Sequence, residues 1–174
     1  PAAPLDAGEP AVSSAASLPL EILESAGRGE LRKVVKWLRK GGAVDALASL
    51  PTADGRPTTA TLLHTAAAND HLEMVRELLK RGASVDLQTR HGYTALMNAA
   101  SLGRLSTLLV LLQHSANRNL QDTDGHTALM LAAGNGHKAC VQALLRAKAD
   151  TELVDNKHGF TALRWAESQG HTAI

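Results

Sequence analysis

The apolar positions of this chain fall in short runs with a helical period. In "HLEMVRELLKRG", residues 71–82, Leu72, Val75, Leu78 and Leu79 make one stripe, and charged side chains fill the places between. The stretch before it, "TLLHTAAA" at 61–68, is apolar and Ala-rich, and it opens on a Thr whose side chain can cap a helix. Asn69-Asp70 breaks the two stretches apart. A polar turn, "RHGYT" at 90–94, precedes the next apolar run, with Gly where a positive φ is expected. The pattern therefore predicts helix, break, helix, turn. Neither helix is long enough to stand alone, so each must bury its stripe against a neighbour.

The same unit recurs. "TLLHTAAANDHLEMVRELLKRGASVD" from Thr61, "TALMNAASLGRLSTLLVLLQHSANRN" from Thr94 and "TALMLAAGNGHKACVQALLRAKADTE" from Thr127 align without gaps at a step of 33 residues. A fourth copy, "TALRWAESQGHTAI", starts one residue late at Thr161. A degenerate copy, "LEILESAGRGELRKVVKWLRKGGAVD", starts at Leu20, 41 residues before Thr61. Side-by-side stacking buries every stripe in one continuous core, and the pairs Ala66–Ala67, Ala99–Ala100 and Ala132–Ala133 keep the inner helices thin enough to stack. Residues 1–17, rich in Pro, Ala, Ser and Gly, read as a flexible leader, either a linker or a frayed end. One repeat domain is expected over 18–174, with units near 18–49 (capping), 57–88, 89–121, 122–154 and 155–174 (incomplete). Residues 46–60 read as a finger insertion, and their two prolines and Asp54-Gly55 argue for a loop that either contacts a partner or is merely tolerated. The last copy stops before its second helix, so either a parent protein continues there or that end is frayed or built differently.

The period of 33, the D-x-x-G-x-T-A-L entry at Asp122, Gly125, Thr127, Ala128 and Leu129, and the Gly-His break at Gly136–His137 and Gly170–His171 resemble ankyrin repeats over roughly residues 18–174. The family's T-P-L-H reads TLLH, TALM, TALM and TALR here, so the Pro is absent throughout and the His survives only at His64. The resemblance implies an all-α solenoid of stacked helix-turn-helix units with β-turn or hairpin fingers. It also implies a scaffold or adaptor that binds through turn tips and the concave face of the first helices. Carried onto this chain, the tips are Arg90, His91 and Tyr93, then Thr123, Asp124 and His126, then Lys157, His158 and Phe160. Tyr93, His126 and Phe160 share one repeat position and would form a row, and aromatic residues are favoured contact anchors. Asn98, Leu131 and Trp165 share a slot on the first helices, beside Met97, Met130 and Arg164. Ser101, Leu102, Asn135 and Gln169 should border the concave face.

Composition narrows the alternatives. The chain has 174 residues, is 44% apolar but only 2% aromatic, and carries a net charge of +1. That length supports one domain with a substantial core, built here from Ala, Leu and Val. The near-neutral balance disfavours nucleic acid, and no apolar run reaches membrane-spanning length, so a membrane role would come only through a parent protein. Cys140 is the one cysteine, which forbids an internal disulfide and suits a reducing, intracellular location, cytoplasm or nucleus. The N-terminal residues lack the charged and apolar regions of a signal peptide. A monomeric module that takes another protein or a peptide segment is expected.

One stretch carries candidate chemistry. In "AAGNGHKACV", residues 132–141, Gly134, Gly136 and Ala139 fit G-x-G-x-x-A, with Asp155 downstream as the acid of a dinucleotide turn. His137 and Cys140 fit a metal or nucleophile pair. Register argues against both. Ala68, Ser101 and Ser168 occupy the Gly134 slot, and a dinucleotide turn needs a preceding strand where a helix is expected. His137 recurs as His71 and His171, and Cys140 shares its slot with Met74 and Thr107. His91, His126 and His158 lie on separate turn tips about 8–10 Å apart, too far to share an ion that needs ligands at about 2 Å. No Ser/His/Asp or paired-carboxylate arrangement stands out, so no enzyme activity, cofactor or metal is expected. Two further readings stay open: a regulatory domain of a larger enzyme or channel, and an electrostatic adaptor using the basic run "RGELRKVVKWLRKGG" at 28–42. In that run Leu31, Val34, Val35 and Leu38 interleave with Lys33, Lys36, Arg39 and Lys40 as on an amphipathic capping helix, and Trp37 is expected in the core.

Overall fold

The computed structural model describes residues 17–50 and 58–172. Among them are nine α-helices and one hairpin. The helices are α1 Leu20–Gly27, α2 Leu31–Arg39, α3 Leu62–Ala68, α4 Leu72–Lys80, α5 Ala95–Ser101, α6 Leu105–Gln113, α7 Ala128–Gly134, α8 Lys138–Arg146 and α9 Ala162–Ser168. The first helices α1, α3, α5, α7 and α9 stack in chain order, and the second helices α4, α6 and α8 stack behind them. Each first helix up to α7 also packs against its own second helix. The result is the two-layer helical solenoid that the repeat requires. None of the helices is long and apolar enough to cross a membrane.

Four of the five first helices, α3, α5, α7 and α9, are started by a threonine cap, whereas α1 begins after Pro19 without one. Thr61, Thr94, Thr127 and Thr161 accept at Oγ1 from the backbone N–H three residues on, at 3.2–3.4 Å. Six of the alanines in the Ala-Ala pairs are at most 2% exposed, which lets neighbouring backbones approach closely. Leu62, Leu78, Leu96, Leu108, Leu111, Leu129 and Leu144 fill the space between layers, and Met74, Thr107 and Cys140 are buried at one shared slot. Trp37 is half-buried and packs on the edge of this core.

Polar joints repeat with the same step. Asp45, Asp86 and Asn119 each accept from the backbone N–H of the next unit, at Ser84, Asn117 and Asp150, with distances of 2.8–2.9 Å. Each joint satisfies a backbone donor that the bend after a second helix would leave without a partner. The fingers are cross-linked as well. Thr123 N–H donates to His91 O at 3.1 Å and Asn156 N–H to Asp124 O at 2.8 Å. Gln88 Nε2 reaches Gln121 O and Gln121 Nε2 reaches Val154 O, both at 3.0 Å.

The insertion at 46–60 departs from the loop expected of it. Its flanks pair as antiparallel strands, β1 Ala48–Leu50 and β2 Thr58–Ala60, with Ala48 opposite Ala60 and Leu50 opposite Thr58. Ala48 is 1% exposed, so the strand has a core face as well as a β-branched partner in Thr58–Thr59. The two prolines and Asp54-Gly55 lie at 51–57, outside the described residues, as do residues 1–16 of the leader expected at 1–17.

Candidate functional site

The Gly-His break turns out to be a latch between units. His71 Nε2 lies 2.8 Å from Gly27 O and His137 Nε2 lies 3.0 Å from Ser101 O. Both carbonyls close the preceding first helix, where no intrahelical donor remains. Arg104, at the equivalent position, donates from Nε to Ala68 O at 3.2 Å. The imidazole also packs against the glycine one unit back. A β-carbon on Gly29, Gly103 or Gly136 would stand 2.6–2.8 Å from the ring of His71, His137 or His171. Each of these glycines has a positive φ, between 68° and 77°. Gly134 simply ends α7, so the spacing that mimicked a phosphate loop belongs to a helix end and a latch. Cys140 is 1% exposed on α8, and burial, then the Asp70 carboxylate, pushes its thiol pKa up, the direction that disfavours a thiolate. Among the described residues, no group of three or more His, Cys, Asp or Glu side chains could hold a metal ion.

The turn tips are organised by buried carboxylates. Asp122 Oδ1 accepts from the N–H groups of Asp124 and His126 at 2.9 and 2.8 Å, and His126 Nδ1 lies 3.2 Å from Oδ2. Asp155 Oδ1 accepts from Lys157 and His158 N–H at 2.8 and 2.6 Å, and Oδ2 from Phe160 N–H and the Trp165 indole at 3.0 Å each. Burial pushes the Asp155 pKa up, but these hydrogen bonds outweigh it and hold the carboxyl at about 2. The downstream acid of the supposed dinucleotide turn is thus committed to its own finger. In the earlier finger Thr89 does the lesser job, accepting from Tyr93 N–H at 3.1 Å.

The structure divides the expected site residues into groups. Tyr93, Asp124, His126, Leu131, Asn135 and Trp165 come together as the walls of one concave depression, with Met130 and Gly134 at its base and Gln169 at its edge. Tyr93, His91 and Asn98 also line the adjoining depression, beside Thr58–Ala60 and His64. His158, Phe160 and Arg164 gather near Trp165 but do not line that depression. The ring centroids of His158 and Phe160 stand 5.6 and 6.0 Å from the indole, that of His126 stands 5.3 Å away, and Arg164 lies over Phe160 at 5.6 Å. Arg164 also pairs with Glu167 at 3.4 Å. Arg90, Thr123 and Lys157 lie exposed on the finger tips, with Arg90 N–H bonded to Thr59 Oγ1 at 2.8 Å. Ser101 is drawn into the latch through its carbonyl, and Leu102 is 48% exposed at the end of α5. Met97 and Met130, which sequence left beside the concave slot, are at most 2% exposed and belong to the core.

Some contributors were not singled out from sequence. Arg104 hides in the histidine slot because it is not a histidine. Gln88 and Gln121 do recur at the repeat step, and that recurrence was a usable signal. His64 is buried, accepts at Nδ1 from Thr61 N–H at 3.3 Å and donates from Nε2 to Tyr93 O at 2.9 Å, so it ties a first helix to the next finger. Burial lowers its pKa, partly offset by the carbonyls of Tyr93 and Leu87.

The family model for ankyrin repeats (3 copies) matches residues 23–122 and 99–174. No curated protein matches the chain.

Proposed function

Because the chain belongs to the ankyrin-repeat family, we propose that it is a scaffold or adaptor that holds a partner protein or peptide segment against its turn tips and concave face. Ankyrin repeats are generally protein–protein interaction modules. The observation that most supports this reading is the concave depression in which Tyr93, His126, Leu131, Asn135 and Trp165, drawn from three successive units, line one surface. Its walls are aromatic and amide groups on a frame already fixed by inter-finger hydrogen bonds, so little ordering is needed when a partner docks. A photo-crosslinking amino acid at Asn135 should give partner adducts that Tyr93→Ala weakens, whereas one at the exposed Gln142 on α8 should give few. Equal adducts from both positions, indifferent to Tyr93→Ala, would count against the reading.

A second surface supports the electrostatic reading. Arg32, Lys36, Arg39 and Lys40 line one shallow depression along α2 with Leu31 and Val35, and Glu77 of α4 is the one acid among the described residues that line it. Such a face suits an acidic partner. Attraction of this kind should fall steeply between low and physiological salt, and binding that persists at high salt would argue against it.

A further inference from the structure

The depression between Tyr93 and Trp165 has a chemistry more specific than a general docking surface. Its base is apolar: Met130 is 2% exposed, and Leu131 and Gly134 lie beside it. Gly134 matters because α3 and α5 end in Ala68 and Ser101 at this slot. A β-carbon at 134 would come to 3.7 Å from Trp165 Cε3, so its absence leaves that part of the indole uncovered. Above the base stand the rings of Tyr93, His126 and Trp165.

Two polar groups of the depression are pure acceptors, beside the Tyr93 hydroxyl and the Gln169 amide, which can donate or accept. Asp124 is exposed, and only its backbone is engaged, through N–H to Asp122 Oδ1 and through O to Asn156 N–H. Asn135 directs its amide N–H groups to Leu131 O at 2.8 Å and Ser101 Oγ at 3.4 Å, so what it has left to offer a ligand is its carbonyl oxygen. Among the described residues no lysine or arginine lines the depression, and Arg164 lies over Phe160. Burial raises the pKa of the Tyr93 phenol, and the Asp122 and Asp124 carboxylates raise it further, so their negative field reaches the opposite wall.

An apolar base, aromatic walls and an acidic rim match a side chain with a long aliphatic stem and a cationic head. We infer that this depression receives a lysine or arginine side chain of the bound partner, with the stem on Met130 and Leu131, the head between the aromatic faces, and Asp124 and the Asn135 carbonyl as its acceptors. The inference rests on the concave-face reading above and names the residue type that the face selects. An acidic side chain would meet the same field as repulsion, and a purely apolar one would leave the acceptors unused.

The test is selection of random 12-residue peptides by phage display on the full chain, followed by affinity measurement on synthetic copies. Peptides whose binding Tyr93→Ala weakens should share one lysine or arginine. Replacing that residue by norleucine, which keeps the stem and drops the charge, should lose about tenfold in affinity, and Asp124→Asn about fivefold. Thermal melts of the variants check that folding is unchanged, and Asp124→Asn serves as the second variant because, among the described residues, no side-chain bond depends on it. Peptides that need Tyr93 but tolerate norleucine, or Asp124→Asn without loss, would overturn the inference and leave the concave-face reading standing. Selection that yields only peptides indifferent to Tyr93→Ala, or none at all, would overturn both.

Discussion

Gly103 and His137 share a space that only one of them can fill: a β-carbon on Gly103 would lie 2.6 Å from His137 Nδ1. The imidazole uses that opening to reach Ser101 O at 3.0 Å. Gly103→Ala should therefore cost more than its left-handed backbone alone demands. Gly82 gives the control, since its φ is +84° and nothing lies within 4 Å of a β-carbon there. Gly82→Ala should lose about 1 kcal/mol from backbone strain. Gly103→Ala should lose about 1–3 kcal/mol more, because the ring must move and give up its carbonyl. Urea unfolding of the two variants compares them, and equal losses would mean that the latch is slack.

Asp70 and Arg104 are the exception that follows the same rule. Asp70 takes the glycine's place with φ 59° and accepts from Thr107 Oγ1 at 2.8 Å. A side chain there denies an imidazole its seat, and the next unit carries Arg104, whose longer stem reaches Ala68 O from another direction. Arg104→His alone should destabilise, while Asp70→Gly with Arg104→His should recover much of the loss. A double-mutant cycle should give a favourable coupling of about 1 kcal/mol or more. Additive effects would show that the two positions are independent.

How much of this could be read from sequence depends on whether a signal is periodic. The first helices were legible because Thr, Ala-Ala and Leu recur at a fixed step, and each recurrence has one local cause. The latch was only half legible: the His recurrence marked a break, but not that the ring packs on the glycine of the preceding unit, because the contact crosses units. Arg104 broke the pattern by residue type while keeping the geometry. At the site, repeat position grouped Tyr93, His126 and Phe160 into one row, yet the fold keeps Tyr93 and His126 in one depression and leaves Phe160 outside it. Trp165, held by Asp155, lines the concave depression, whereas Phe160 packs on the indole with His158 and Arg164 and does not line it. Alignment gives each residue a place within its unit, whereas one large side chain from a neighbouring slot decides which face it shares.

Asp155 should set part of the acid stability. Its pKa is lowered from 3.8 to about 2 in the folded chain. The carboxylate therefore contributes stability that is complete above pH 3.8 and is lost as pH falls toward 2. Asp155→Ala leaves three backbone N–H groups and the Trp165 indole without this acceptor, and at pH 7 it should destabilise by about 2–4 kcal/mol. The gap between wild type and variant, followed by urea unfolding, should narrow from pH 4 to pH 2.5. A gap that stays constant over that range would show that the carboxylate's charge is not what holds the finger.

His64 makes the opposite demand on protonation and gives the last prediction. Its Nδ1 faces Thr61 N–H as an acceptor while Nε2–H donates to Tyr93 O, so the folded chain holds the neutral ring, in line with its lowered pKa. The unfolded chain takes up a proton near pH 6.5 and the folded chain resists it. The contribution of His64 is thus complete above pH 6.5 and falls as pH drops below that value, by at most about 1.4 kcal/mol per pH unit. Met97 and Met130 show what can replace it, since each is buried at the same repeat position and Met97 Sδ accepts from Thr94 N–H at 3.4 Å. His64→Met should therefore fold, with a modest loss at pH 7.5 from the missing bond to Tyr93 O, a carbonyl that still accepts from Thr89 N–H at 2.8 Å. Between pH 7.5 and 5 wild type should lose this contribution and the variant should not, so their stabilities should converge. Parallel curves over that range would place the acid sensitivity in the other histidines, which both chains share.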